Sequence, residues 1–281
     1  MHIPGARLSV GRLSFIFAPM IIEWNVDPVI FTAGPLSPRW YGVLFASAFM
    51  ISYQIMKKIF VAEGKGMQQL DQLTIAIIIG TIVGARVGHV LFYEPQIFLE
   101  DPFEVIAIWH GGLASHGGAL GIITALWWFH TKNRSFGMTW LFDRLAIVAA
   151  ISGMCIRLGN LMNSEIIGKP TDGTWGFWFQ RVDSTLIPRH PTQLYEAALC
   201  LALFVLTYWM YQRGVAKRAP GMIFGLFLVL LFAGRFIIEF FKEHQVDFEA
   251  SLPIDMGQIL SIPFVLLGIY YLLRSRQSQQ A

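Results

Sequence analysis

The sequence predicts an all-α membrane protein with seven transmembrane helices, the N-terminus outside, the C-terminus cytoplasmic and a small extracytoplasmic head segment. Three observations carry this. Only 14% of the 281 residues are charged and 55% are hydrophobic, whereas an average soluble domain carries about 25% charged residues. Seven apolar windows approach the roughly 20 residues that a membrane-spanning helix needs. Lys and Arg gather in alternate connecting loops, which orients the spans. The same composition excludes an ordinary cytosolic enzyme, a disordered chain and a nucleic-acid binder. Cys155 and Cys200 stand alone in apolar surroundings and make neither a disulfide framework nor a metal-ligand pattern.

The windows follow in order. The first lies between Arg39 and Lys57, and the second begins after Asp71 and runs through Arg86 to Tyr93. The third, Glu104 to Lys132, is long and rich in glycine. The fourth, Leu141 to Met162, is the weakest, interrupted by Asp143, Arg144 and Arg157. The fifth, His190 to Gln212, contains Glu196, and the sixth, Pro220 to Phe241, contains Arg235 and Glu239. The seventh, Met256 to Leu273, is free of charge. Basic loops follow spans 1, 3 and 5, and the tail holds Arg274 and Arg276. The loops after spans 2 and 6 are acidic, with Lys242 their one basic residue. An odd number of spans then places the N-terminus outside. The expected organisation is an N-terminal extension and outside loop over 1–39, a membrane domain over 40–273 with a head segment at about 164–189, and a cytoplasmic tail over 274–281. The apolar run Leu13–Ile22, preceded by Arg7 and Arg12, reads either as a weak signal-peptide core or as a sign that translation starts at Met20.

Ionisable residues inside spans are functional candidates, and their depths agree. Tyr41, Arg86, His89, His110, His116, Arg157, Asn160, His190, Glu196, Arg235 and Glu239 all fall in outer halves. That describes a polar cavity open to the outer side. A channel or pump would need polar groups through the full thickness. Arg157 and Asn160 share a helix face at i,i+3, suited to an anionic headgroup because arginine offers phosphate a planar fork of donors. Arg235, with Arg86 as a third cation, would reach the same level. Two cations plus amide donors could hold a phosphodiester and stabilise a phosphate leaving group. Blander readings stand beside these. Arg235 and Glu239 at i,i+4 could be a structural ion pair, His116 could be a packing residue, and Gly80, Gly84 and Gly88 mark a close helix contact. There is no metal-binding motif and no nucleophile elbow or phosphate loop, so neither a metal nor a cofactor is expected. Span 7 has no Lys for a retinal Schiff base. A transporter or lipid-binding protein using the same arginines is the competing class.

Several stretches resemble one family. They are His110-Gly-Gly-Leu-Ala-Ser-His116-Gly-Gly118, Arg157-Leu-Gly-Asn160 through Glu165, and Arg189-His190-Pro-Thr-Gln-Leu-Tyr-Glu196. With Asp27-Pro-Val-Ile-Phe31, Trp40-Tyr41-Gly42, Gly84-Ala-Arg86, Arg235-Phe-Ile-Ile-Glu239 and Met256-Gly-Gln258, they are similar to prolipoprotein diacylglyceryl transferases over roughly residues 25 to 273. The resemblance implies a bacterial inner-membrane enzyme with its active site toward the outer leaflet. Its partners would be phosphatidylglycerol and the lipobox segment of a prolipoprotein, within membrane lipid and without nucleic acid. It would move a diacylglyceryl group to the lipobox thiol and release glycerol phosphate. Arg157 and Arg235 carry over as the essential arginines and His116 as the candidate base. Tyr41, Asn160, Glu165, Gly168 and Glu239 carry over as site residues, and Arg86 and His190 join them as substrate-binding candidates. A free thiol has a pKa of about 8.5, so His116 or the arginine field would favour the thiolate. Ile156 stands where the family usually has Gly and Leu231 where it often has Tyr, and the segment from Ser164 to Arg189 is short.

Overall fold

A computed structural model describes residues 20–34, 36–101, 103–106, 112, 114–243 and 254–280. The signal-like residues 1–19, His110 within its motif, and most of the acidic loop after Lys242 lie outside the described residues. The protein is mostly helical and multi-pass, with six helices long and apolar enough to cross a membrane. These are α1 (Trp40–Ala62), α2 (Met67–Tyr93), α5 (Met138–Met162), α6 (Thr192–Gln212), α8 (Met222–Glu239) and α9 (Met256–Gln280). Short helices α3 (Ile97–Glu100) and α7 (Val215–Arg218) lie in connections, and a 3-10 turn spans Glu104–Ile106.

The relative clarity of the third and fourth windows reverses. In the Glu104–Lys132 window the described α-helix starts at Ser115, after the 3-10 turn at Glu104–Ile106. Gly112 adopts a left-handed φ of +67°, a conformation that suits glycine, and Ala114 is extended. Helix α4 (Ser115–Lys132) has 18 residues and is about 27 Å long, and it is not among the six. Helix α5, interrupted by charges, is instead the most enclosed, with 50% of its apolar window buried against 22% for α1, α2 and α9.

The charges in α5 are consumed by structure at one end of the bundle. The first amides of any helix lack intrahelical partners, and Asp143 supplies them to α8. Its carboxylate accepts the amides of Gly221 at 2.7 Å and Phe224 at 2.9 Å. Arg144 donates to both oxygens of Glu63, at 3.0 and 3.2 Å, and Trp140 donates to the same carboxylate at 2.7 Å. Phe60, Phe129, Phe136 and Trp140 pack as a ring cluster beside it.

Helices α2 and α4 meet through glycine, as the small-residue spacing suggested. Methyl groups added at Gly84 or Gly88 would come within 2.9 Å of Gly121 Cα or 2.7 Å of Gly117 Cα. The backbones touch, as small-residue membrane interfaces allow.

One feature departs from an all-α fold. Strand β1 (Met20–Trp24) pairs parallel with β2 (Trp175–Phe179), in a register running from Met20 opposite Trp175 to Trp24 opposite Phe179. The Ile-rich end of the supposed signal core is therefore strand, and the aromatic run after α5 is its partner, in keeping with the preference of aromatic and β-branched residues for pleated surfaces. The two are about 150 positions apart in the chain, so the pairing has no local signature. Trp24 Nε1 donates to the Leu161 carbonyl at 3.0 Å, which pins the pair to the end of α5.

Candidate active site

The ends of α5 and α8 and the starts of α1, α6 and α9 converge beneath the strand pair. Arg157 lies in the last turns of α5. Its Nε meets Glu196 Oε2 of α6 at 2.8 Å, and its Nη1 donates to Asn160 Oδ1 at 3.3 Å, as the i,i+3 spacing anticipated. Asn160 Nδ2 then donates to Glu165 Oε2 at 3.2 Å, and Asn163 Nδ2 to Glu165 Oε1 at 3.0 Å. The Tyr41 ring lies on Gly159, where an added methyl would come within 2.8 Å of it.

The second half of the constellation is on α8. Glu239 does not pair with Arg235. Its Oε2 takes Lys242 Nζ at 3.2 Å, and Gly257 of α9 comes so near that an added methyl would lie 2.6 Å from both carboxylate oxygens. Lys242 also meets Glu196 Oε1 at 2.9 Å and is only 4% exposed. A line of alternating charge therefore runs from Glu239 through Lys242 and Glu196 to Arg157, across α8, α6 and α5. Arg235 is half-buried and makes no ion pair or hydrogen bond among the described residues.

The chain leaving α5 turns sharply through Ser164 and Ile166, with φ of +55° and +56°. Such values are uncommon for non-glycine residues and are outliers for a β-branched one. It is held there by Gln193 Nε2 on the Glu165 carbonyl at 2.6 Å and Thr192 Oγ1 on the Ile166 carbonyl at 2.9 Å. The strand-like segment after it is clamped from two sides. The Gly168 amide donates to the His190 carbonyl at 3.0 Å and the Lys169 amide to the Phe241 carbonyl at 2.8 Å. A side chain on Gly168 would strike both segments. The His190 ring packs against Trp175 and Phe241, and its Nδ1 is 3.0 Å from the Tyr195 hydroxyl. Burial pushes the His190 pKa down, with Asp172 opposing. Arg189 is raised by its hydrogen bonds to Asp183, at 2.6 and 2.8 Å.

Arg157, Asn160, Glu165 and Glu239 thus share one network, with the Tyr41 ring packed on Gly159 beside it and Gly168 and His190 in the cover above. Two candidates stand elsewhere. Arg86 is buried beneath the loop after α3, donating to the carbonyls of Val105 at 3.1 Å, Gly112 at 3.3 Å and Glu104, with the Glu104 carboxylate 3.4 Å away. It anchors that loop to α2. His116 is exposed in the first turn of α4, which packs chiefly on α2. It makes no hydrogen bond or ion pair among the described residues. Lys242 and the pairing role of Glu196 were missed. The i,i+3 spacing of Gln193 and Glu196 was the available signal; Lys242 gave none, because it reads as one more loop charge.

Comparison with known proteins identifies the family. Residues 28–274 match the family described as prolipoprotein diacylglyceryl transferase. Among relatives named phosphatidylglycerol–prolipoprotein diacylglyceryl transferase, one from Tolumonas auensis is 50% identical over 92% of this chain and 99% of its own length. Another, from Chloroherpeton thalassium, is 44% identical over 92% of this chain and 96% of its own. A third, from Porphyromonas gingivalis, is 44% identical over 92% and 95% respectively. The chain belongs to the prolipoprotein diacylglyceryl transferase family.

Proposed function

We propose that this chain transfers the diacylglyceryl group of phosphatidylglycerol to the lipobox cysteine of a prolipoprotein. The carrying observation is the pair of arginines. Arg157 is aimed by Glu196 on one edge and Asn160 on another, and Arg235, without a partner among the described residues, lies on the adjoining helix α8. In the reaction the thiol gives up its proton and the sulfur attacks the glycerol carbon that bears the phosphate. The C–S bond forms as the C–O bond breaks, and glycerol phosphate leaves with the bonding electrons. Its developing charge falls on the two guanidiniums, the group best shaped for phosphate oxygens. His116, whose ring nitrogens have no partner among the described residues, is the residue we assign to receive the thiol proton. Tyr41, Asn160, Glu165 and Glu239 line the site, Gly168 and His190 close it, and Arg86 supports it by holding the loop over α2.

The same reading sets the topology. Helix α4 serves as the seventh span, and the strand-pair end faces outward. Lys57, Lys58, Lys65, Arg213, Lys217 and Arg218 then lie in the cytoplasm, as the positive-inside bias requires. The chain is placed in the bacterial inner membrane with its site toward the outer leaflet. Residues 1–39 form an extension and outside loop, 40–273 the membrane domain and 274–281 a cytoplasmic tail.

The test is a vesicle assay with a lipobox peptide, read by peptide mass, with and without phosphatidylglycerol. Thioether-linked diacylglyceryl peptide is expected only with the lipid, and not with Arg157→Ala. A product from the Arg157→Ala protein at the wild-type rate would remove this arginine from the mechanism, and lipid moved between leaflets with unmodified peptide would indicate transport.

A further inference from the structure

Helices α1 and α2 are joined by the short turn 63–66, yet they part as they leave it. The glycine contact draws α2 onto α4. Helix α1 is drawn onto α5, where Ser52 Oγ and Ser152 Oγ lie 3.0 Å apart. Each packs chiefly on that partner rather than on the other. Between them is left a groove of about 650 Å³, within the range of small-molecule pockets. Phe49, Ile55 and Ile78 give it apolar walls, while Tyr53, Gln54 and Lys58 gather toward the C-terminal end of α1. At that end the Tyr53 hydroxyl donates to Asp71 Oδ1 at 2.8 Å and ties the two helices together.

Length and charge describe what fits. From Phe49 to Lys58 the groove runs about 14 Å along α1, close to the depth of one leaflet in a hydrocarbon core of about 30 Å. Among the described residues Lys58 is the only Lys, Arg, Asp or Glu in the lining. It is exposed and makes no ion pair or hydrogen bond among the described residues. A lysine at the end of a span lays its stem on apolar surface and holds its ammonium at headgroup level. Asp71 is nearby, but its carboxylate is engaged by Tyr53, and Lys57 adds a second cation on the same turn. The groove thus combines an apolar trough one leaflet deep with a cation at its mouth.

We propose that this groove binds a phospholipid of the inner leaflet with an anionic headgroup, one acyl chain lying between α1 and α2 and the phosphate meeting Lys58. The chain supplies atoms that the separated helices otherwise lack as partners. The site is distinct from the transfer site, because α1 begins in that site and reaches the groove only in its second half. The leaflet rests on the topology proposed above; the binding itself does not.

The test is native mass spectrometry of the purified full-length protein in detergent, titrated with phosphatidylglycerol or phosphatidylcholine of identical chains. Every variant keeps the transfer site, so differences between variants report the groove. Lys58→Gln is expected to weaken retention of phosphatidylglycerol by about 5-fold, the effect of one lysine on an anionic headgroup, and to leave phosphatidylcholine unchanged. Lys57→Gln, outside the lining, should change much less. Ile78→Trp, which fills the groove, should lower retention of both lipids, with thermal unfolding confirming that each variant is folded. Equal weakening by Lys57→Gln and Lys58→Gln would overturn the proposal, since it would report overall charge alone. Unchanged retention in Ile78→Trp would overturn it as well. A doubled mass that Ile78→Trp abolishes would give the groove to a second copy of the chain and overturn the lipid. Detergent has no leaflets, so the leaflet is read separately, by maleimide labelling of Lys58→Cys in spheroplasts. Labelling by an impermeant reagent from outside would overturn the inner-leaflet placement and the topology together, while leaving the binding result standing.

Discussion

Replacing Lys242 with methionine is the sharpest test of how the site is held. Among the described residues its ammonium is the only group meeting both Glu196 Oε1 at 2.9 Å and Glu239 Oε2 at 3.2 Å, and it is 4% exposed. Methionine keeps most of the length and removes the charge, so two buried carboxylates lose the cation between them. Removing one partner of a buried ion pair typically costs about 3–5 kcal/mol. Part of this appears as stability. The rest reaches catalysis through Glu196, because the carboxylate that loses Lys242 is the one that orients Arg157 through Nε. If about 3 kcal/mol is lost from transition-state stabilisation, kcat falls by roughly 150-fold. The measurements are thermal unfolding in detergent and transfer kinetics with saturating peptide. Lys242→Arg, which keeps the cation and can bridge two carboxylates, is expected to recover most of the activity. Combining Lys242→Met with Glu196→Gln should cost less than the two separate losses, as residues of one network couple. A Lys242→Met protein with wild-type kcat and melting temperature would refute the reasoning, and fully additive losses would show that Lys242 and Arg157 are not linked through Glu196.

Three other outcomes follow from the same contacts. Gly84→Ala puts a methyl 2.9 Å from Gly121 Cα and closer to the Gly117 carbonyl, so α2 and α4 must separate; a loss of about 1–3 kcal/mol is expected, and an unchanged melting temperature would contradict the contact. Asp143→Ala strands the Gly221 and Phe224 amides at a cost of about 1–3 kcal/mol for each unsatisfied donor, whereas Asp143→Asn, which keeps an acceptor, should lose less; equal losses would argue against the cap. His190 has a pKa lowered by burial, so the folded chain binds fewer protons on this ring than the unfolded chain does. Its contribution is present above the unfolded value of about 6.5 and is lost as pH falls below it. Thermal unfolding from pH 8 to pH 5 should show that decline, and His190→Asn should reduce it; an identical slope in both proteins would rule the ring out.

Five of the spans, α1, α2, α6, α8 and α9, are legible in the amino-acid sequence because apolarity over about 20 residues is a local property that no neighbour can alter. The Arg157–Asn160 contact is legible for the same reason, since i,i+3 spacing on a helix fixes who stands beside whom. The Gly80, Gly84 and Gly88 series likewise announces a close contact, although not that α4 makes it. Other features depend on which distant segments become neighbours. Asp143 interrupts an apolar window and weakens it as a span, but folding puts it under the N-terminus of α8, where the charge is needed. Lys242 reads as a loop residue until Glu196 and Glu239 close around it. Arg235 and Glu239 have the spacing of a pair, yet Lys242 and the approach of α9 at Gly257 draw Glu239 away. Met20–Trp24 becomes a strand because Trp175–Phe179 arrives beside it from about 150 residues away. Burial leaves a charge or an open backbone edge with a partner to find, and three-dimensional packing supplies that partner, so it cannot be read from the residues on either side.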